Sequence, residues 1–425
     1  MARGEKLRAY KRHERSLLTE LEVLDLADEK ASFCSKLLAD LGAEVIKVES
    51  PGGDTSRWIG PFWKDIPHPE RSLSFWYNNS NKLGITLNLE AAEGQEIFRR
   101  LAGKADVIIE TTPPGYLGRF ELGYEGLSKI NPKLIFVSVT GFGQTGPYRQ
   151  YKSCDIIASA TGGQMYVCGA PDTPPLKPYG EQSYYVASLF AAIAILIALR
   201  ERNRSGRGQH IDISLQEAVA ATLEHVLVRY FHDNIVSQRQ GGSHQNNSSC
   251  LLPCKDGYIL LMVGRDWDIL VHWLDSEGMV SDLKEEKWKD EQYRNQHWNH
   301  IVDILTQWTR THTRAELFKL GQLMHLPWAP VASLEEMVNS TQLLRRNFFV
   351  SVKHPELASA GIKPHTYKYP EVPYRFCVPW GKAYKRRWEI RRRAPLIGEH
   401  NAQVYREKLG LSISDLERLS ASKII

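Results

Sequence analysis

Short apolar runs alternate with helix-period stretches through the first third of the chain. Residues 21–26 have the length and composition of a buried strand. A turn at Ala27 and Asp28 leads into a helix-period stretch over 30–41, closed by Gly42. Residues 44–48 form a second strand, stopped by Pro51-Gly52-Gly53. Strand, helix and strand in one short segment make a parallel βαβ unit. The alternation continues with a strand over 84–89, a helix over 90–101 and strands over 106–109 and 133–140. It predicts a large doubly wound, Rossmann-like α/β domain.

A long apolar helix over about 183–202 ends at Ser205-Gly206-Arg207-Gly208, followed by a strand over 209–214 and a helix from Leu215. The polar loop 239–249 changes the character of the chain. A strand over 257–263 and a Trp-rich helical stretch over 266–324 follow, and these predict a smaller α+β domain. The expected division is 16–228 for the first part of the large domain, 229–350 for the small domain and 351–425 for a return to the large one.

Composition excludes several classes. Hydrophobic residues at 42% and charged residues at 24% of 425 support a globular core. The net charge of +5 is small and concentrates at 1–15 and 382–393, without the interleaved aromatics of a nucleic-acid surface. Cys34, Cys154, Cys168, Cys250, Cys254 and Cys377 follow neither a disulfide framework nor a zinc spacing, so no metal is expected. The N-terminal charges precede no apolar signal, and the apolar stretch 184–199 is shorter than the roughly 20 residues of a bilayer span. A buried helix and a cytoplasmic protein are expected, with neither nucleic acid nor membrane as partner. Ala27-Asp28-Glu29-Lys30 stands where a dinucleotide fold would place its glycines, so NAD and FAD are not implied.

Four segments in order, 37–54, Thr140-Gly141-Phe142-Gly143-Gln144-Thr145-Gly146-Pro147-Tyr148, 206–214 and Ala394-Pro395-Leu396-Ile397-Gly398-Glu399-His400, resemble family III CoA-transferases. The resemblance implies a large domain built from both chain ends, a small domain and an interlocked dimer. It also implies a CoA thioester as substrate, with no covalently bound cofactor. In the family an aspartate at the start of the long apolar helix attacks the thioester and carries the CoA. A glycine loop covers the intermediate, and Gly241 and Gly242 match its place.

The sequence departs from this pattern at the decisive position. The family aspartate falls on Tyr184, a phenol with an ordinary pKa of about 10 and a weak nucleophile at neutral pH. Glu181, three residues earlier, is the possible surrogate, although a carboxylate there also suits a helix N-terminus. The histidine of the family's racemases is replaced by Cys154, which leaves Asp155 without a second base. The turn expected against the nucleotide reads Glu110-Thr111-Thr112-Pro113-Pro114-Gly115, and Ala31-Ser32-Phe33 replaces the usual Gly-Pro. By the same resemblance Lys82, Thr111, Thr112 and Arg119 are the candidate CoA contacts.

These departures suit a subunit whose aspartate is supplied by a paralogous, Asp-containing partner in a heterotetramer. Residues 27–38 resemble one subunit of a family member built from two unlike chains, which moves CoA from succinyl-CoA to benzylsuccinate. An aromatic or dicarboxylic acceptor is expected. The alternatives are a self-sufficient homodimer using Glu181 and a non-catalytic acyl-CoA-binding protein.

Overall fold

The computed structural model describes residues 17–242, 249–264, 266–359, 366–371 and 389–425. Residues 1–15 and 382–388 of the two basic stretches lie outside them, as does Cys377. The chain forms two compact units, one from Met1–Gln164, Tyr179–Glu224 and Arg346–Ile425, the other from Met165–Pro178 and His225–Arg345. The assignment of 165–178 to the second unit has no counterpart in the expected boundaries.

The first unit holds a sheet of six parallel strands: β1 (Glu22–Leu26), β2 (Glu44–Glu49), β3 (Leu83–Thr86), β4 (Val107–Glu110), β5 (Ile135–Thr140) and β6 (Gln209–Ser214). Their order is β3-β2-β1-β4-β5-β6. Both faces are covered, which is why the strands read as unbroken apolar runs. Val23, Val45, Val107 and Val137 enter one core, and their neighbours Leu24, Ile46, Ile108 and Phe136 enter the other. Each such side chain contributes about 1.5–3 kcal/mol on burial.

Helices α1 (Ser32–Asp40), α3 (Asp155–Thr161) and α4 (Gln182–Ser205) cover the first face, and α2 (Ala92–Ala102) covers the second. The C-terminal helix Asn401–Leu409 joins α2: Tyr405 donates its hydroxyl to Thr86 O at 2.6 Å, and the Thr86 N–H donates to Asn401 Oδ1 at 2.8 Å. Gly206, at φ +73°, ends α4 in the left-handed region that glycine tolerates without strain.

The expectation of a fully buried α4 needs correction. Tyr184, Ala187, Ala191, Ile195 and Ala198 pack into the core, whereas Leu189, Phe190, Ile193, Leu196 and Ile197 are exposed. At 24 residues the helix is also long and apolar enough to cross a membrane by composition alone, contrary to the shorter stretch read from the sequence. The face packed on the sheet marks it as a core helix.

In the second unit Ser249–Cys254 and Gly257–Met262 form an antiparallel hairpin that pairs further with Ala329–Pro330. Trp267, Trp273, Trp288, Trp298, Trp308 and Trp328 are buried in its core, so much of the chain's tryptophan serves packing. Glu277 accepts from the indole N–H groups of Trp273 at 2.6 Å and Trp308 at 2.7 Å, which satisfies two buried donors.

Candidate active site

The strand order reverses direction between β1 and β4, and the loops that leave their C-terminal ends diverge there. Ligands of open α/β sheets bind in this crevice. A cavity of about 600 Å³ occupies it, lined by Leu26, Asp28, Lys30, Thr111, Thr112, Thr140, Arg149 and Lys152 among others. The loop after β1 is fixed from three sides. The Ala27 N–H donates to Asp25 Oδ1 at 3.0 Å, the Asp28 N–H donates to Thr111 Oγ1 at 3.0 Å, and the Lys47 ammonium donates to Ala27 O. Lys47 is itself held by Asp54 at 2.9 Å.

The crevice is cationic on one wall. Asp28 neutralises Lys30, but Arg149 and Lys152 make no ion pair among the described residues and present exposed donors. The Thr140 hydroxyl oxygen is buried there without a hydrogen-bond partner among the described residues. This lining suits a ligand carrying phosphates and polar amides.

At the start of α4 the side chains are committed to structure. Tyr184 is 5% exposed, and its hydroxyl accepts from the Asp155 N–H at 2.9 Å. Burial, and then the charge of Glu29, push its pKa well above the ordinary phenol value. The phenol is therefore neutral at any working pH and poorly nucleophilic. Asp155 Oδ1 accepts from the Ser183 N–H at 2.9 Å and from the Ser183 hydroxyl, so this carboxylate caps α4 from outside. Glu181 is the N-cap residue itself, half-buried and with contacts of its own. Phe33, in place of the expected Gly-Pro, packs edge-on against Tyr185 at 4.7 Å.

The candidate CoA contacts separate. Lys82 is fully buried: its ammonium pairs with Asp25 at 2.8 Å and donates to Ser32 O at 3.0 Å and Asn79 Oδ1 at 2.8 Å. All three donors are in use, and burial lowers its pKa to about 8. The expectation that Lys82 meets a phosphate is corrected: it is a buried structural cation. Thr111 holds the first loop, as above. Thr112 lines the cavity while its N–H and hydroxyl donate to Glu110 Oε2 at 2.6 and 2.5 Å. Arg119 is exposed, with its guanidinium over the Tyr116 ring at 4.6 Å.

Gly241 and Gly242 belong to the second unit, where the Gly241 N–H donates to Gly169 O at 3.0 Å and Gly242 O accepts from the Leu251 N–H at 2.9 Å. Residues 243–248 of that loop lie outside the described residues. Among the described residues no cluster of His, Cys, Asp or Glu could hold a metal.

Comparison with known proteins decides the family. The family model for CoA-transferase family III matches residues 18–401. The chain belongs to CoA-transferase family III. It is 34% identical over 395 residues to the succinyl-CoA:(R)-benzylsuccinate CoA-transferase subunit BbsE of Thauera aromatica, covering 91% of this chain and 93% of that one. It is 32% identical over 417 residues to the succinyl-CoA–L-malate CoA-transferase beta subunit of Chloroflexus aurantiacus, covering 96% and 98%. A crystal structure of a CaiB/BaiF family protein from Brucella suis superposes with a TM-score of 0.80 at 30% identity, covering 93% of this chain and all of that one. Family III enzymes use CoA thioesters as substrates, and membership supports transferase activity for this chain.

The sequence reading missed Arg149, Lys152 and Thr140 as site residues. A signal was present for each, since Thr140 ends a strand and Arg149 and Lys152 follow the Gly146-Pro147-Tyr148 turn. Loops at strand C-termini carry function in such sheets.

Proposed function

We propose that this chain is a CoA-transferase subunit that moves CoA from succinyl-CoA to an aromatic or dicarboxylic acid such as benzylsuccinate, with the covalent aspartate supplied by a paralogous subunit. The observation that supports this reading is Tyr184: the residue that the count along the sequence sets against the family aspartate is a buried phenol bonded to the Asp155 N–H. Three of the relatives are named as subunits, and all three names begin with succinyl-CoA.

The CoA phosphates meet Arg149 and Lys152, with Thr112 and Arg119 toward the nucleotide end. The exposed stripe Leu189, Phe190, Ile193, Leu196 and Ile197 on α4 is covered by the paralogue, because an apolar face of this extent on a core helix marks an association surface. Burying it couples folding to assembly.

Co-expression with Asp-containing paralogues, followed by a CoA-exchange assay from succinyl-CoA to a panel of dicarboxylic and aromatic acids, tests the reading. Exchange by the co-purified complex, with little by this chain alone, is expected. Full exchange by this chain in isolation overturns the partner-supplied aspartate.

A further inference from the structure

The loop that follows β5 carries a cluster of three aromatic rings. Tyr148 and Tyr151 stack with ring centroids 5.0 Å apart and planes 27° apart, and Phe142 meets them edge-on at 5.9 and 6.4 Å. The Tyr151 N–H donates to Tyr148 O at 2.8 Å, which closes the turn. Gln150 Nε2 donates to Pro114 O at 3.2 Å and ties this loop to the one after β4. The cluster is therefore built before any ligand arrives, yet it is not covered. Tyr148 is 49% exposed and Tyr151 62%. Tyr151 lines the crevice cavity together with Arg149 and Lys152, its exposed neighbours in sequence, which make no ion pair among the described residues. A single exposed tyrosine is ordinary on a protein surface. An open, pre-stacked ring between two unpaired cations, on the wall of a cavity, offers one ligand a flat face and positive charge together.

A ligand that uses all of these groups has a planar ring joined to anionic oxygens. The succinyl group and the pantetheine arm contain no ring, whereas the adenosine of coenzyme A joins a fused base to phosphates through one ribose. We propose that Tyr151 is the stacking face for the adenine of coenzyme A, with the phosphates on Arg149 and Lys152. An aromatic acceptor acid shares this chemistry on a smaller scale, with one six-membered ring and carboxylates. The fused base covers more of the tyrosine ring, and phosphates carry more charge to the two cations, so the nucleotide fits the wall better. No bond is made or broken at Tyr151. Succinyl-CoA, free coenzyme A and the product thioester all carry the same nucleotide, so the stack holds each of them equally while the acyl end exchanges. Such uniform binding sets KM and leaves kcat unchanged. The inference rests on the reading of the crevice as a CoA site.

Calorimetric titration of the full chain with coenzyme A, phosphopantetheine and benzylsuccinate tests it, in the wild type, Tyr151→Leu and Tyr151→Phe. Phosphopantetheine keeps the arm and one phosphate but lacks the adenosine. Tyr151→Leu is expected to weaken coenzyme A about 10-fold or more, the scale of one lost base–aromatic stack, and to leave phosphopantetheine within about two-fold. Tyr151→Phe keeps the ring and is expected to retain the wild-type affinity for both. Equal weakening of coenzyme A and phosphopantetheine in Tyr151→Leu overturns the inference by making Tyr151 a mere support for the loop. Unchanged coenzyme A affinity in that variant overturns it as well, and a loss confined to benzylsuccinate gives the ring to the acceptor acid instead. These three outcomes leave the CoA reading standing. Failure of the wild type to bind coenzyme A removes that reading and the inference with it. Etheno-coenzyme A, whose base fluorescence is quenched by stacking on an aromatic ring, reads the contact in the wild type without any variant. Quenching on binding is expected, and binding without quenching overturns the inference even where Tyr151→Leu misfolds.

Discussion

Replacing Tyr184 by phenylalanine deletes one oxygen and leaves the ring in the core. The deleted hydroxyl is the acceptor for the Asp155 N–H at 2.9 Å, and both residues are buried. The variant therefore takes the Tyr184 acceptor away from a buried backbone donor at the junction of α3 and α4. A buried unsatisfied group of this kind costs about 1–3 kcal/mol. With a urea slope near 3 kcal/mol/M, the unfolding midpoint falls by roughly 0.3–1 M. Ring packing is retained, so no cavity cost adds to this. The phenol carries no chemistry in this account, so CoA exchange by the assembled protein stays within about two-fold of wild type, the scale of a change that removes no transition-state contact. Paired urea denaturation and exchange assays on the same preparation measure both quantities. Loss of exchange by about 100-fold at an unchanged midpoint refutes the reasoning, because it assigns the hydroxyl to the reaction and not to the Asp155 N–H.

Three further outcomes are expected. Lys82→Met strands Asp25 as an uncompensated buried carboxylate and destabilises the first unit by about 3–5 kcal/mol; a well-folded variant with only a raised KM for CoA thioesters would return Lys82 to the phosphates. Arg149→Ala and Lys152→Ala each raise the KM for succinyl-CoA by about 10-fold at low salt, as expected for a lost charge-assisted contact, with kcat and unfolding midpoint preserved; unchanged steady-state kinetics at low salt would remove both from the site. Tyr184→Asp brings a carboxylate beside Glu29 and removes the acceptor of Asp155, so the protein is less stable at neutral pH and regains little exchange. That like-charge repulsion is relieved as pH falls and either carboxyl is protonated, so the stability deficit narrows in acid; a deficit that widens in acid contradicts the placement of Glu29.

The doubly wound sheet was legible because its strands are buried on both faces and so appear as unbroken apolar runs separated by helix-period stretches. Val23 and Leu24, adjacent in sequence, enter different cores, and either alone would look like a plain apolar residue. The place of Tyr184 in the first turn of α4 was equally legible, since it follows from where one apolar helix begins. Lys82 was misread because sequence does not distinguish an exposed lysine from one buried against Asp25, which lies 57 residues earlier. For α4, an almost entirely apolar stretch reads as buried on every side, yet in the single chain one face stays open.

The central claim is that CoA transfer by the assembled protein proceeds without a covalent intermediate on this chain. Hydroxylamine trapping during turnover of succinyl-CoA by the complex with an Asp-containing paralogue, followed by mass mapping of both chains, tests it most directly. The modification is expected on the paralogue's helix-start aspartate, with Tyr184, Glu181 and Glu29 of this chain unmodified. A stoichiometric adduct on any residue of this chain, with the paralogue unlabelled, would contradict the account.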